Sequence, residues 1–180
     1  MFKGKLLTAA ALLAAALAGA GAWLLVGHLA TPDHGPAVEK LLQLQLPDSD
    51  GKNVDFAQWR GKPLVVNFWA TWCPPCREEM PLLDSSAKAT PGVQFVGISV
   101  DDKAHVAAFR STNATSYPLP ITGMEISALG AELGNKAMAL PFTAFIRADG
   151  SLQSVKLGAL KEADLAQELQ QLLTSIKSQR

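Results

Sequence analysis

The chain has 180 residues, 48% of them apolar and 18% charged, with 16 basic side chains balanced by 16 acidic ones. That apolar fraction excludes a disordered chain, and the balanced charge excludes the electrostatic footprint of a nucleic-acid binder. A length of this order holds one well-buried domain and a short appendage.

The appendage comes first. Leu6 to Gly27 is a run of 22 residues without a charged side chain, and about 20 apolar residues cross the hydrocarbon core of a bilayer. Lys3 and Lys5 precede the run, so the positive-inside rule keeps them in the cytoplasm and exports the rest of the chain. Residues 1–30 therefore read as an uncleaved membrane anchor or, with Ala18-Gly19-Ala20 as processing site, as a cleaved signal. The expected location is the periplasmic face of a bacterial inner membrane, or the soluble periplasm after cleavage. His28 falls at the membrane edge. "ATPDHGP", with two prolines and a glycine, reads as a tether, so residues 31–37 are taken as linker and 38–180 as the domain.

An apolar stretch around Leu41 to Leu46, the turn-rich "PDSDGKN" and Val54 to Trp59 suggest paired extended segments at the edge of the domain. "KPLVVNFWA" reads as a buried strand because it is nearly continuous in apolar, β-branched and aromatic residues. From Pro74 to about Ala89 the period turns helical, with Met80, Leu83 and Ala87 on one face and Pro81 expected to bend the helix. Val93 to Val100 is a second buried strand, and Asp101 to Phe109 a capped helix with Val106 and Phe109 inward. Thr112 to Leu140 yields a loop, a short extended piece near Leu119 to Thr122 and a helix around Ile126 to Leu133. "FTAFI" and "LQSVKLG" flank an Asp149-Gly150 step and predict an antiparallel hairpin. Leu165, Leu169, Leu172 and Ile176 recur at helical spacing in a last helix, with acids early and bases late. The order implies an α/β fold with a mixed central sheet flanked by helices.

The only two cysteines, Cys73 and Cys76, fall where the first buried strand hands over to its helix. A disulfide closing so short a loop restrains the unfolded chain little. A zinc site needs about four ligands, and beyond the two thiols the chain offers only His28, His34 and His105. A covalent haem site requires histidine after the second cysteine, where Arg77 stands. Redox chemistry fits the spacing better. A thiolate at a helix start is stabilised by unpaired backbone donors and the dipole, so Cys73 is the expected attacking thiol and the deeper Cys76 the resolving one. Pro74 and Pro75 suit the first helical turn. They also remove two donors that could face the thiolate, which argues for a reducing rather than a strongly oxidising pair.

"GKPLVVNFWATWCPPCREEMP" (Gly61 to Pro81) resembles the thioredoxin superfamily, and within it the exported, membrane-tethered proteins of the TlpA/ResA type, of the AhpC/TSA-like redoxin kind. The likeness runs from about Val38 to Ser175. It implies a thioredoxin-like fold and a thiol:disulfide oxidoreductase acting on protein disulfides, without bound cofactor or metal, recharged by a membrane electron-donor protein. It implies that Pro141 is a cis-proline opposite the cysteines, leaving the Leu140 backbone open to a substrate chain. Trp72 would shield the site, and Trp72, Pro74, Pro75, Leu140 and Pro141 would face substrate. Glu79 matches an acid that moves protons near the thiols, while Glu78 reads as a solvated helix residue and Trp69 as core. Asn67 stands where ordinary thioredoxins carry a buried aspartate. "LPFTAFI" lacks the Gly-x-Pro-Glu pattern of the cytochrome c maturation subgroup, which leaves a link to cytochrome maturation open. Two other functions compete. A peroxiredoxin-type thiol peroxidase would carry Thr or Ser where Ala70 stands, and a copper-handling carrier would use the two thiolates as soft ligands.

Overall fold

The computed structural model describes residues 34–178, with side chains through 175. The segment 1–30 with His28, and the side chain of Ile176, lie outside the described residues. Among the described residues no helix is long and apolar enough to cross a membrane.

The first element corrects the reading of the tether. Gly35–Leu41 is a helix, α1, with Pro36 in its first turn and Ala37, Val38 and Leu41 buried, so residues 35–37 of the expected linker belong to the packed domain. A proline at a helix start resembles a tether in composition, yet it is where the missing N–H costs least. Next, β1 (Gln45–Pro47) pairs antiparallel with β2 (Asn53–Asp55). The extended reading of Val54 to Trp59 fails past Asp55, where Phe56–Trp59 forms a 3₁₀ turn capped by the Asp55 carboxylate.

Six consecutive residues of β3 (Leu64–Trp69) are buried, as a strand covered on both faces requires. Helix α2 (Pro74–Ala89) carries the chain over to β4 (Gln94–Ser99), parallel to β3. It runs as one element through Pro81. Helix α3 (Lys103–Thr112) is capped by Asp102, whose carboxylate accepts the His105 N–H. The expected extended piece near Leu119 is a single bridge, Ile121 to Ser99. The expected helix at Ile126 begins as a 3₁₀ turn, Met124–Ile126, and continues as α4 (Ser127–Glu132). Strands β5 (Phe142–Ile146) and β6 (Leu152–Leu157) form the antiparallel hairpin around Asp149-Gly150, and α5 (Glu162–Ser178) closes the chain.

The sheet order is β4-β3-β5-β6, mixed because β5 runs antiparallel to β3. Leu165, Leu169 and Leu172 of α5 are buried in the core, as are Met80 and Leu83 of α2. Trp69 is fully buried against Phe109 of α3, with ring centroids 5.1 Å apart, and its indole N–H reaches the Gly97 carbonyl. Register sets the location of the chemistry. Phe68 lies opposite Phe142, so the chain leaves β3 toward Cys73 at the same sheet end where it enters β5 from Leu140-Pro141.

Candidate active site

Cys73 occupies the N-cap of α2 and is joined to Cys76 by a disulfide. The proline pair behind it has no N–H to offer, and one backbone donor, the N–H of Cys76, points at Cys73 Sγ from 3.3 Å. Cys76 is fully buried while Cys73 retains slight exposure. Pro74 and Pro75 are exposed on the outer side of that turn. The Leu140-Pro141 peptide is cis, and Pro141 is buried while Leu140 is half-exposed.

One turn along α2 from Cys76, on the same face, Glu79 is 4% exposed. Its Oε1 accepts from Asn67 Nδ2 at 2.8 Å and its Oε2 from the Leu160 N–H at 2.7 Å. Burial pushes the Glu79 carboxyl up, outweighing the downward pull of the Leu160 and Asn67 hydrogen bonds. Asn67 Nδ2 also donates to Thr143 Oγ1 at 3.0 Å. Glu78, one position before, is exposed.

The outer side of the site is apolar. Among the described residues four large apolar side chains are strongly exposed, and three of them, Trp72, Met124 and Met138, line one depression together with Phe68 and Leu140. Its volume is about 50 Å³. Met138 has φ +49°, a left-handed conformation that costs a methionine free energy. Asn135 holds it there: its side chain bonds Ala139 N–H and carbonyl, and its own carbonyl accepts the Met138 N–H.

A further residue steadies the turn before Cys73. The Asp101 carboxylate at the end of β4 accepts from the Thr71 N–H at 3.1 Å and from the Thr71 hydroxyl, and its other oxygen accepts from the Asp102 N–H. Burial raises the Asp101 carboxyl, but the hydrogen bonds from Thr71, Asp102 and His105 together hold it below the ordinary value. His105 faces both Asp101 and Asp102, and His34 bonds the Glu132 carbonyl.

The residues singled out in sequence, Trp72 to Cys76, Glu79, Leu140 and Pro141, thus gather at one end of the sheet. Met124, Met138, Asp101 and Thr143 were missed. Met124 and Met138 come from the irregular stretch between Thr112 and Leu140, whereas Asp101 and Thr143 lie in elements that the period announced but whose long-range partners, Thr71 and Asn67, it could not.

Residues 31–172 match the Redoxin family. This chain belongs to the redoxin family. Among its relatives, thiol-disulfide oxidoreductase ResA of Bacillus subtilis (strain 168) is 29% identical over 66% of this chain and 65% of its own length. The thiol:disulfide interchange protein DsbE of Pseudomonas fluorescens biotype C is 36% identical over 73% of this redoxin and 75% of its own length. A solved structure of a secreted disulfide oxidoreductase from Mycobacterium tuberculosis, homologous to DsbE of E. coli, superposes with a TM-score of 0.62 at 29% identity, covering 73% of this chain and 97% of that one. The fold is therefore thioredoxin-like, and this redoxin is a thiol:disulfide oxidoreductase with a disulfide-forming cysteine pair, Cys73–Cys76.

Proposed function

We propose that this redoxin reduces disulfides of exported proteins, with Cys73 as attacking thiol and Cys76 as resolving thiol. The observation that carries the reading is the unequal setting of the two sulfurs. Cys73 sits at a helix start on the partly exposed side, and Cys76 is sealed behind it. In the reduced protein the Cys73 thiolate attacks the substrate disulfide, one substrate sulfur leaves as a thiol, and a mixed disulfide forms. Cys76 then gives its proton to the Glu79 carboxylate and attacks Cys73 Sγ. The bond between Cys73 and the second substrate sulfur breaks, and that sulfur leaves as a thiolate and takes up the proton that Glu79 gives back through solvent. The two electrons that the substrate has gained come from the two cysteines, which are left as the Cys73–Cys76 disulfide.

Sparse stabilisation of the Cys73 thiolate supports the reductive direction. A single backbone donor faces its sulfur, and a less stabilised thiolate makes the dithiol the better electron donor. The cis Leu140-Pro141 segment supports backbone pairing with a substrate chain. Leu140 lines the depression that also holds Trp72, Met124 and Met138, and flexible apolar side chains of this kind accept varied partners. Export rests on the apolar 6–27 run and on the secreted relative. In an oxidising compartment the spent disulfide must be recharged, which calls for a membrane electron donor.

The test has two parts. A Cys76→Ser variant expressed in its own host should hold exported proteins as mixed disulfides through Cys73. Equilibration with glutathione should give a reduction potential well below about −120 mV, the value of a strong oxidant. A potential at that level would reverse the direction assigned here.

A further inference from the structure

Asn67 is 2% exposed, yet its side chain is used at one end only: Nδ2 makes two hydrogen bonds, and Oδ1 is buried without a partner. A buried orphan acceptor costs free energy and calls for a physical reason. The surroundings supply one. The two groups that Nδ2 reaches, Glu79 Oε1 and Thr143 Oγ1, can each change roles. A carboxylate accepts but a carboxylic acid donates, and a threonine hydroxyl does either.

We infer that Asn67 and Thr143 are positioning residues that let Glu79 hold or release a proton by a half-turn of the Asn67 amide. With Glu79 ionised, Nδ2 donates to the carboxylate and to Thr143, as the hydrogen bonds stand. When Glu79 takes a proton, Oε2 must still accept the Leu160 N–H, so the proton sits on Oε1 and points at Asn67. Rotation about the Asn67 Cβ–Cγ bond then brings Oδ1 to face Glu79 O–H and Thr143 O–H, and accepts from both. Two hydrogen bonds exist in either arrangement, and one end of the amide is idle in either. The orphaned Oδ1 is thus the resting half of a two-position device. An aspartate at 67 could not serve in this way, because it would compete with Glu79 for the proton.

This inference rests on the reading that Glu79 receives the Cys76 proton. Of the titratable groups around the cluster, Cys76 is held in the disulfide and cannot titrate, Lys156, opposite Thr143 in the β5–β6 register, is paired with the buried Glu168, and Tyr117 feels the charge of Glu79. Burial, Asp84 and Glu79 push the Tyr117 hydroxyl above its ordinary value, so it stays neutral. In the oxidised chain Glu79 is the one titratable group to which the Asn67 amide is hydrogen-bonded.

The experiment is a pH titration of the oxidised, ¹⁵N-labelled full chain, following the two side-chain amide protons of Asn67 by NMR. Above the Glu79 transition both protons should resonate as hydrogen-bonded, and below it both should move upfield together. A Glu79→Gln variant imitates the protonated acid, since its amide can donate to Oδ1 while its oxygen keeps Leu160, so both Asn67 protons should stay upfield at every pH. If only the proton facing Glu79 moves while the one on Thr143 stays hydrogen-bonded, or if neither moves, the half-turn is refuted. A kinetic arm reads its consequence. Thr143→Val should slow the Cys76 resolving step about fivefold, as loss of one buried hydrogen bond would, and Thr143→Ser should restore it to within about twofold. Equal rates for Thr143→Val and the parent would overturn the positioning role. A resolving rate that ignores Glu79→Gln as well, with the amide still turning, would instead refute Glu79 as proton acceptor and leave the two-position amide standing.

Discussion

The two sides of the Cys73–Cys76 disulfide are each other's inverse. Behind it, where a core should be apolar, Glu79, Asn67 and Thr143 form a buried polar chain. In front of it, where a surface should be polar, Trp72, Met124 and Met138 stand exposed around one depression. Buried acids and clustered exposed apolar side chains each carry a free-energy cost, and finding both beside a redox pair ties those costs to the chemistry. In the proposed cycle the inner side handles protons and the outer side a partner chain.

Changes that separate the two sides test this contrast, and the cysteines should give the largest effect. Cys73→Ser should abolish reduction of a protein disulfide such as insulin, whereas Cys76→Ser should still form a mixed disulfide and stall, visible as a thiol-sensitive adduct by mass spectrometry. Stalling in the first variant and not the second would exchange the two roles.

Glu79→Gln comes next and should touch the inner side alone. We expect the resolving step to slow by a factor on the order of 100 or more at neutral pH, the range of a positioned proton acceptor. Stability should move the other way. A carboxyl whose folded value is raised binds its proton more tightly in the native state, so its effect is absent below about pH 4.3, the ordinary glutamate value. Above that, stability falls as the pH rises toward the raised folded value. Chemical denaturation across this window should therefore find Glu79→Gln flatter with pH than the parent, and more stable at neutral pH.

On the outer side, Trp72→Ala should raise KM for a protein disulfide about tenfold, as loss of a large anchor does. Met138→Gly is the sharper variant. Glycine adopts the left-handed conformation without strain, so thermal unfolding should gain on the order of 0.5 kcal/mol while KM for the protein substrate rises severalfold. A loss of stability would mean that the Met138 side chain serves packing rather than a partner.

The smallest effect on activity is expected at Asp101. Its carboxyl is held below the ordinary value, so the stability that it contributes is complete above about pH 3.9, the unfolded value, and is lost as the pH falls through the lowered folded one. Asp101→Asn should remove that acid-side component, costing about 1 kcal/mol by denaturant unfolding, and should leave the Thr71 turn less firmly held.

Much of this could be read in advance. The run Leu64 to Trp69 is apolar at every position but Asn67, so a two-sided buried strand was legible, and a cysteine followed by two prolines marks a helix start by local stereochemistry. Gly35 to Ala37 were misread as linker, because a helix that begins at proline has the composition of a tether. Met138 could not have been found at all: its exposure and its left-handed backbone depend on Asn135 three residues away, and no period announces such a loop.

The sequence by itself determined the chemistry and its local frame: two thiols one helical turn apart, a strand before them, a helix after them and an acid one turn further along. Those relations span a few residues and follow from backbone geometry alone. Only the tertiary structure decided which distant groups complete the site. The β3–β5 register sets Asn67 opposite Thr143, folding brings the Leu160 N–H to Glu79, and the 124 and 138 segments meet at Trp72. Whether Glu79 is a solvated helix residue or a buried proton carrier depends on what packs over it, and that is a property of the whole sheet and its helices.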